Sequence, residues 1–151
     1  MEFAYSALEK VIFNEASTEV LPRLLRGLSY KRPFVVVSRT LAEKTGDLSA
    51  LRQALPVELA GFYKAIRLHT PLEDALELLD QVRESGADVI ISVGGGSVID
   101  AGKFVQLAIA QGLKHESEIL QYAQQENGSK GAKHGDFRLF SSTDKIRQLA
   151  I

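Results

Sequence analysis

Three consecutive glycines, Gly94, Gly95 and Gly96, stand between the β-branched run VIISV (residues 89–93) and an apolar stretch that opens SVIDAGKFV (97–105). A continuous apolar run of strand length, followed at once by an apolar stretch of helix length, is the pattern of an interior parallel strand feeding a buried helix. A turn of this kind leaves the first N–H groups of the helix without intrahelical acceptors, at the positive end of the helix dipole. Three absent side chains let an anion, most commonly phosphate, touch that backbone directly, and they permit positive φ. The alternative is local: glycines for tight packing, with Ser97 and Asp100 forming a Ser-x-x-Asp capping box. Three glycines in a row before a capped helix favour the phosphate site.

The rest of the chain alternates in the same way. Residues 10–13 (KVIF) read as a short first strand. Ser17 or Thr18 is placed to cap a helix with Val20, Leu21, Leu24, Leu25 and Leu28 at helical spacing, Gly27 near its end and Pro22 near enough its start to be tolerated. PFVVV (33–37) reads as an interior strand, residues 40–55 as one or two short helices broken near Gly46-Asp47, and residues 59–66 as a second core strand. Thr70-Pro71-Leu72-Glu73 predicts an N-cap, a proline at the first helical position and a capping-box acid, for a helix running through Ala75, Leu76, Leu79 and Val82 to Gly86. A strand over 88–93, a helix over 98–111 that is apolar nearly all round, a short helix over 117–125, a polar surface loop over 126–136 (ENGSKGAKHGD) and a strand over 146–151 complete the order. Strands alternating with helices predict an α/β fold, a Rossmann-like three-layer domain with a mainly parallel sheet. No internal repeat is present.

Composition removes several functions. The chain has 151 residues, 45% hydrophobic and 25% charged, enough for one domain with a real core. It has no cysteine, which rules out a disulfide framework, a thiolate metal site and a cysteine nucleophile. Eighteen basic against nineteen acidic residues, with no basic cluster interleaved with aromatics, leave no footprint for nucleic acid. No run reaches the ~18 apolar residues of a membrane span, and the start MEFAYSALEK is not a signal peptide, so a cytoplasmic location is expected. His69, His115 and His134 are the only histidines, and no pair has the spacing of a metal site. Two familiar nucleotide fingerprints fail. G-x-G-x-x-G would need glycine at Ile99, and the P-loop would need glycine at Ser97 and Ser or Thr at Phe104.

GGGSVIDAGK nonetheless resembles the GGGSxxDxxK signature of the iron-containing (group III) alcohol dehydrogenases, which include the maleylacetate reductases. The early VIFNEAS, then PFVVVSRTLAEKTG, TPLEDALELL and ESGADVIISVGGGS occur in the family's order, so the resemblance covers essentially the whole chain. It implies a dehydroquinate synthase-like N-terminal domain binding NAD or NADP. In the family a helical domain with an iron or zinc site follows, and its ligands are not in this chain. By that match Gly94, Gly95, Gly96 and Ser97 would hold the cofactor pyrophosphate, and Asp100 would lie near the nicotinamide ribose. Lys103 matches the signature lysine, but one turn into the helix it reads as a surface or dipole residue. Thr70 occupies a position where the family often faces the cofactor with Asn, beside its reading as a helix cap.

One departure bears on the cofactor. NAD-dependent members commonly carry Asp at the end of the first core strand, where this chain has Ser38 followed by Arg39. Loss of the carboxylate removes repulsion of a 2′-phosphate, and a guanidinium nearby can pair with it, so NADP is slightly favoured over NAD. The other reading of Arg39 is a solvated turn residue.

The function expected is therefore the NAD(P)-binding part of a metal-dependent oxidoreductase, with residues 1–151 as the dinucleotide-binding domain and a small alcohol, aldehyde or keto substrate in a full-length parent. No catalytic or metal-ligating residue is assigned in the chain itself. Three alternatives stand beside it: a non-catalytic nucleotide-binding or subunit-interaction module, a truncated inactive relative, and a relative acting on a phosphorylated substrate. With the second domain gone, exposed apolar surface and an unprotected last strand predict homo-oligomerisation.

Overall fold

The computed structural model of the protein describes residues 12, 15–44, 47–121 and 147–150. The expected first strand over 10–13, apart from Ile12, and the loop over 126–136 lie outside the described residues. The elements run α1 (Ser17–Gly27), β1 (Pro33–Ser38), α2 (Arg39–Lys44), α3 (Asp47–Ala54), β2 (Gly61–Ile66), α4 (Leu72–Ser85), β3 (Val89–Val93), α5 (Gly96–Gln111) and β4 (Arg147–Ala150). A further helical stretch covers 116–121.

The four strands form one sheet in the order β2-β1-β3-β4, with every pairing parallel. Period-two alternation along β1 and β3 sends side chains to two separate cores, as a sheet covered on both faces requires. Phe34, Val36 and Ile90 face α4 and α5 and pack with Leu78, Leu79, Val82, Val98, Ala101 and Val105. Val35, Val37, Val89 and Ile91 face the other way and pack with Leu21 and Leu25 of α1 and Leu51 of α3. The result is the expected three-layer α/β architecture. In α5, Val98, Ala101, Gly102, Val105 and Ala108 are buried, whereas Ile99, Phe104, Leu107 and Ile109 are only half-buried.

Glycine at 61 follows from packing: in the β1–β2 register Phe34 lies opposite Gly61, and a Cβ there would fall 2.3 Å from the Phe34 ring. α4 ends as expected at Gly86, which takes the left-handed conformation at φ 63°. α1 ends differently. Gly27 remains helical, and Ser29 adopts positive φ while the Tyr30 N–H donates back to the Leu25 carbonyl.

Three expected caps are not formed. α1 starts one residue earlier than a Ser17 or Thr18 cap would allow, with Ala16 at the N-cap and the Glu19 and Val20 N–H groups bonded to its carbonyl. α4 has Pro71, not Thr70, at its N-cap, and the Thr70 hydroxyl is drawn away to a neighbouring helix. α5 begins at Gly96 with Gly95 at the N-cap, so Ser97 lies inside the helix, where its hydroxyl cannot cap and no capping box with Asp100 forms.

Candidate functional site

The strand order sets the location. From β1 the chain steps to β2 on one side of it, then returns through α4 to β3 on the other side, so β1 and β3 are sheet neighbours whose chains leave in opposite directions. The crevice outside the carboxyl ends of two such strands is where open α/β sheets bind ligands. Here those ends are Ser38-Arg39 and Gly94-Gly95-Gly96, brought side by side by the pairing of Val37 with Val93.

Gly94 has φ 139°, a conformation costly for any residue with a side chain. An added Cβ would also meet Val98 Cγ2 at 3.3 Å and Ser38 Oγ at 3.7 Å. Gly95 and Gly96 differ: a Cβ on either would meet nothing within 4 Å. The chain thus turns tightly at Gly94 and then presents two bare residues to open space at the head of a sixteen-residue helix. The N–H groups of Gly96 and Ser97, first in that helix, have no intrahelical acceptor. This is a cradle that a phosphate fits in shape, hydrogen bonding and dipole sign.

The turn after β2 closes the other side. The His69 N–H donates to Ser97 Oγ at 3.1 Å, and the Thr70 hydroxyl donates to the Ser97 carbonyl at 2.7 Å. Both His69 (φ 63°) and Thr70 (φ 46°) lie in the left-handed region, which is unusual for a β-branched residue and stores strain beside the candidate site.

Ser38 Oγ accepts the Leu41 N–H at 3.2 Å and so acts as the N-cap of α2 while lying next to Gly94. Arg39 is exposed at the first position of α2. Asp100 is exposed just beyond the first turn of α5, its Oδ1 3.8 Å from Lys103 Nζ. The structure therefore gathers Ser38, Arg39, Thr70, Gly94, Gly95, Gly96 and Ser97 at the carboxyl end of the sheet, with Asp100 one helical turn further along α5.

Sequence reasoning overlooked a charged pair at the same end of the sheet. Asp74, 6% exposed in the first turn of α4, accepts Arg67 Nη2 at 2.6 Å, Arg67 Nε at 2.9 Å and the Arg67 backbone N–H at 2.9 Å. Those hydrogen bonds hold the Asp74 carboxyl below its ordinary value of 3.8, against the opposing effect of burial, and the charge of Arg39 pulls the same way. An arginine directly after a strand and two acids opening the next helix were the available signal. The role of the His69 backbone had no side-chain signal at all. Among the described residues no group of three or more His, Asp or Glu could hold a metal ion, and no helix is long and apolar enough to cross a membrane. His134 lies outside the described residues.

Known proteins resemble the chain in sequence and in fold. The family model for iron-containing alcohol dehydrogenase matches residues 9–136. The chain is 30% identical over 106 residues to a maleylacetate reductase of Rhizobium sp., covering 70% of this chain and 29% of that protein. It is 37% identical over 89 residues to the dehydrogenase FUM7 of Gibberella moniliformis, covering 58% and 21% respectively. The crystal structure of maleylacetate reductase from Agrobacterium tumefaciens superposes with a TM-score of 0.59 at 30% identity, over 71% of this chain and 30% of that one. A sulfoacetaldehyde reductase from Bifidobacterium kashiwanohense, solved in complex with NAD+, superposes with a TM-score of 0.63 at 13% identity, over 72% and 28%, and shares the fold. The chain spans less than a third of the length of each of these four proteins. With its signature turn, its strand order and a family match over most of its length, the chain belongs to the iron-containing alcohol dehydrogenases.

Proposed function

We propose that residues 1–151 form the dinucleotide-binding domain of an NAD(P)-dependent oxidoreductase that interconverts an alcohol and a carbonyl compound. The observation that carries the reading is the pair of bare residues Gly95 and Gly96, open to space at the head of α5 and directly following Gly94, which lies beside Ser38 at the point where the strand order reverses. Their backbone N–H groups and that of Ser97 bind the pyrophosphate, and the Thr70 and His69 bonds to Ser97 hold the first turn of α5 in place for it. The bound nicotinamide supplies the hydride acceptor or donor. The metal of this family, its ligands and the substrate pocket are assigned, on the family resemblance, to a helical domain of the parent protein.

Ser38 and Arg39 set the preference at the adenine ribose. A neutral, cap-forming serine does not repel a 2′-phosphate, and the exposed guanidinium beside it supplies a charge-assisted partner, so NADP(H) is accepted and favoured.

The test is titration of the chain with NADPH and with NADH, following nucleotide fluorescence, with Gly95→Asp as control. Saturable binding that the control abolishes supports the reading. Absence of binding by either nucleotide, with the chain folded, counts against this domain holding the cofactor by itself.

A further inference from the structure

The glycine turn is held from a third side by a residue far away in sequence. Gln148 lies on β4 beside β3, in register with Ile90. Its Nε2 donates to Ser92 Oγ at 2.8 Å and to the Ile99 carbonyl at 2.9 Å, which uses both hydrogens of the amide. Ser92 is fully buried and stands just ahead of Gly94 on the incoming strand. Ile99 stands in the first turn of the outgoing helix. One amide therefore ties together the two arms of the turn.

Gly102 exists to admit that amide. It lies in the interior of α5 with no positive φ, where glycine costs about 1 kcal/mol relative to alanine. A Cβ at this position would fall 2.3 Å from Gln148 Nε2 and 2.5 Å from Ser92 Oγ. Gly102 lies well beyond the first helical turn, so phosphate contact does not explain it, whereas the space needed by Gln148 does.

We propose that Gln148 is a positioning residue for the phosphate cradle: by bridging Ser92 and Ile99 it sets the angle at which α5 leaves β3, and so couples the seating of β4 to anion affinity at residues 94–97. The inference rests on reading that turn as a phosphate site. Several N–H groups must converge on one anion, and a tilt of the first helical turn by a fraction of an ångström disperses them.

The test uses Gln148→Leu, which keeps the volume and removes both donors, in the 151-residue chain. Amide hydrogen exchange is followed at Val98 and Ile99, whose N–H groups bond to the Gly95 carbonyl, and NADPH affinity is measured in parallel. Exchange should rise at those two amides while α1 and α3, on the opposite face, keep wild-type protection, and NADPH should bind about tenfold more weakly. Unchanged exchange at Val98 and Ile99, or an equal rise throughout the sheet and both helix layers, would overturn the proposal. Should the wild-type chain bind no nucleotide, the phosphate reading fails separately, and exchange at the two amides still decides whether Gln148 controls the turn. If the leucine variant does not fold, Ser92→Ala removes one acceptor of the amide with less disturbance and is read in the same way.

Discussion

Asp74 sits beneath Arg67 and accepts both its backbone N–H and its guanidinium, so that one buried carboxylate closes the junction between β2 and α4. The junction carries two successive left-handed residues, His69 and Thr70, and the bonds from that turn to Ser97 reach the candidate site. Asp74→Ala removes the acceptor for a backbone N–H and leaves Arg67 without its main partner. Because the guanidinium is half exposed and screened, a loss of about 2 kcal/mol is expected, read from urea unfolding. A loss below about 0.5 kcal/mol would mean that water replaces the carboxylate freely.

The same pair gives a pH dependence. The folded-state pKa of Asp74 is depressed, so its contribution is complete above the ordinary value of 3.8 and is lost as pH falls through the lower, folded-state value. Melting temperature against pH should therefore fall more steeply below pH 3.8 in the wild type than in Asp74→Asn. Parallel curves would assign acid sensitivity to other carboxylates, of which Glu118, held down by the Lys114 and His115 N–H groups, is one.

Adjacent glycines of the turn should respond oppositely. Gly94→Ala forces a side chain into φ 139° and against Val98, which should cost about 1–3 kcal/mol. Gly95→Ala meets open space with extended backbone and should leave stability within about 0.5 kcal/mol of wild type. Thermal melts of the two variants separate a glycine required by backbone conformation from one retained for access to the backbone.

Ser38→Asp is a clean test of cofactor choice, because aspartate is as good an N-cap as serine and the Leu41 N–H keeps its acceptor. The added carboxylate should repel a 2′-phosphate and weaken NADPH at least about tenfold, with little loss for NADH. Arg39→Ala should weaken NADPH alone, by roughly tenfold. Equal effects on both nucleotides would show that neither residue reads the ribose.

Gly61→Ala should be severe for a reason unrelated to ligand. A methyl 2.3 Å from the Phe34 ring forces the β1–β2 pair apart, and a cost of about 1–3 kcal/mol is expected in urea unfolding.

Periodicity alone determined most of the elements. Continuous apolar strands such as PFVVV and VIISV can satisfy burial on both faces only within a covered parallel sheet, and the apolar spacing of α4 leaves one way to pack. The glycine turn was legible for the same local reason: a strand, three bare residues and a helix define a candidate anion cradle without knowledge of anything else in the chain. The N-caps of α4 and α5 were not legible, since Thr70 and Ser97 each had a local role available and a tertiary partner took it. The two residues meet across the β2–α4 and β3–α5 turns, and that meeting depends on β1 lying between β2 and β3. Only the tertiary structure decided that Asp74 is buried under Arg67, that Ser38 stands beside Gly94, and that Gly102 leaves room for the amide of Gln148. The last two are contacts between segments distant in sequence, and all three are set by strand order, register and the packing of helices on the sheet, which local patterns of hydrophobicity do not encode.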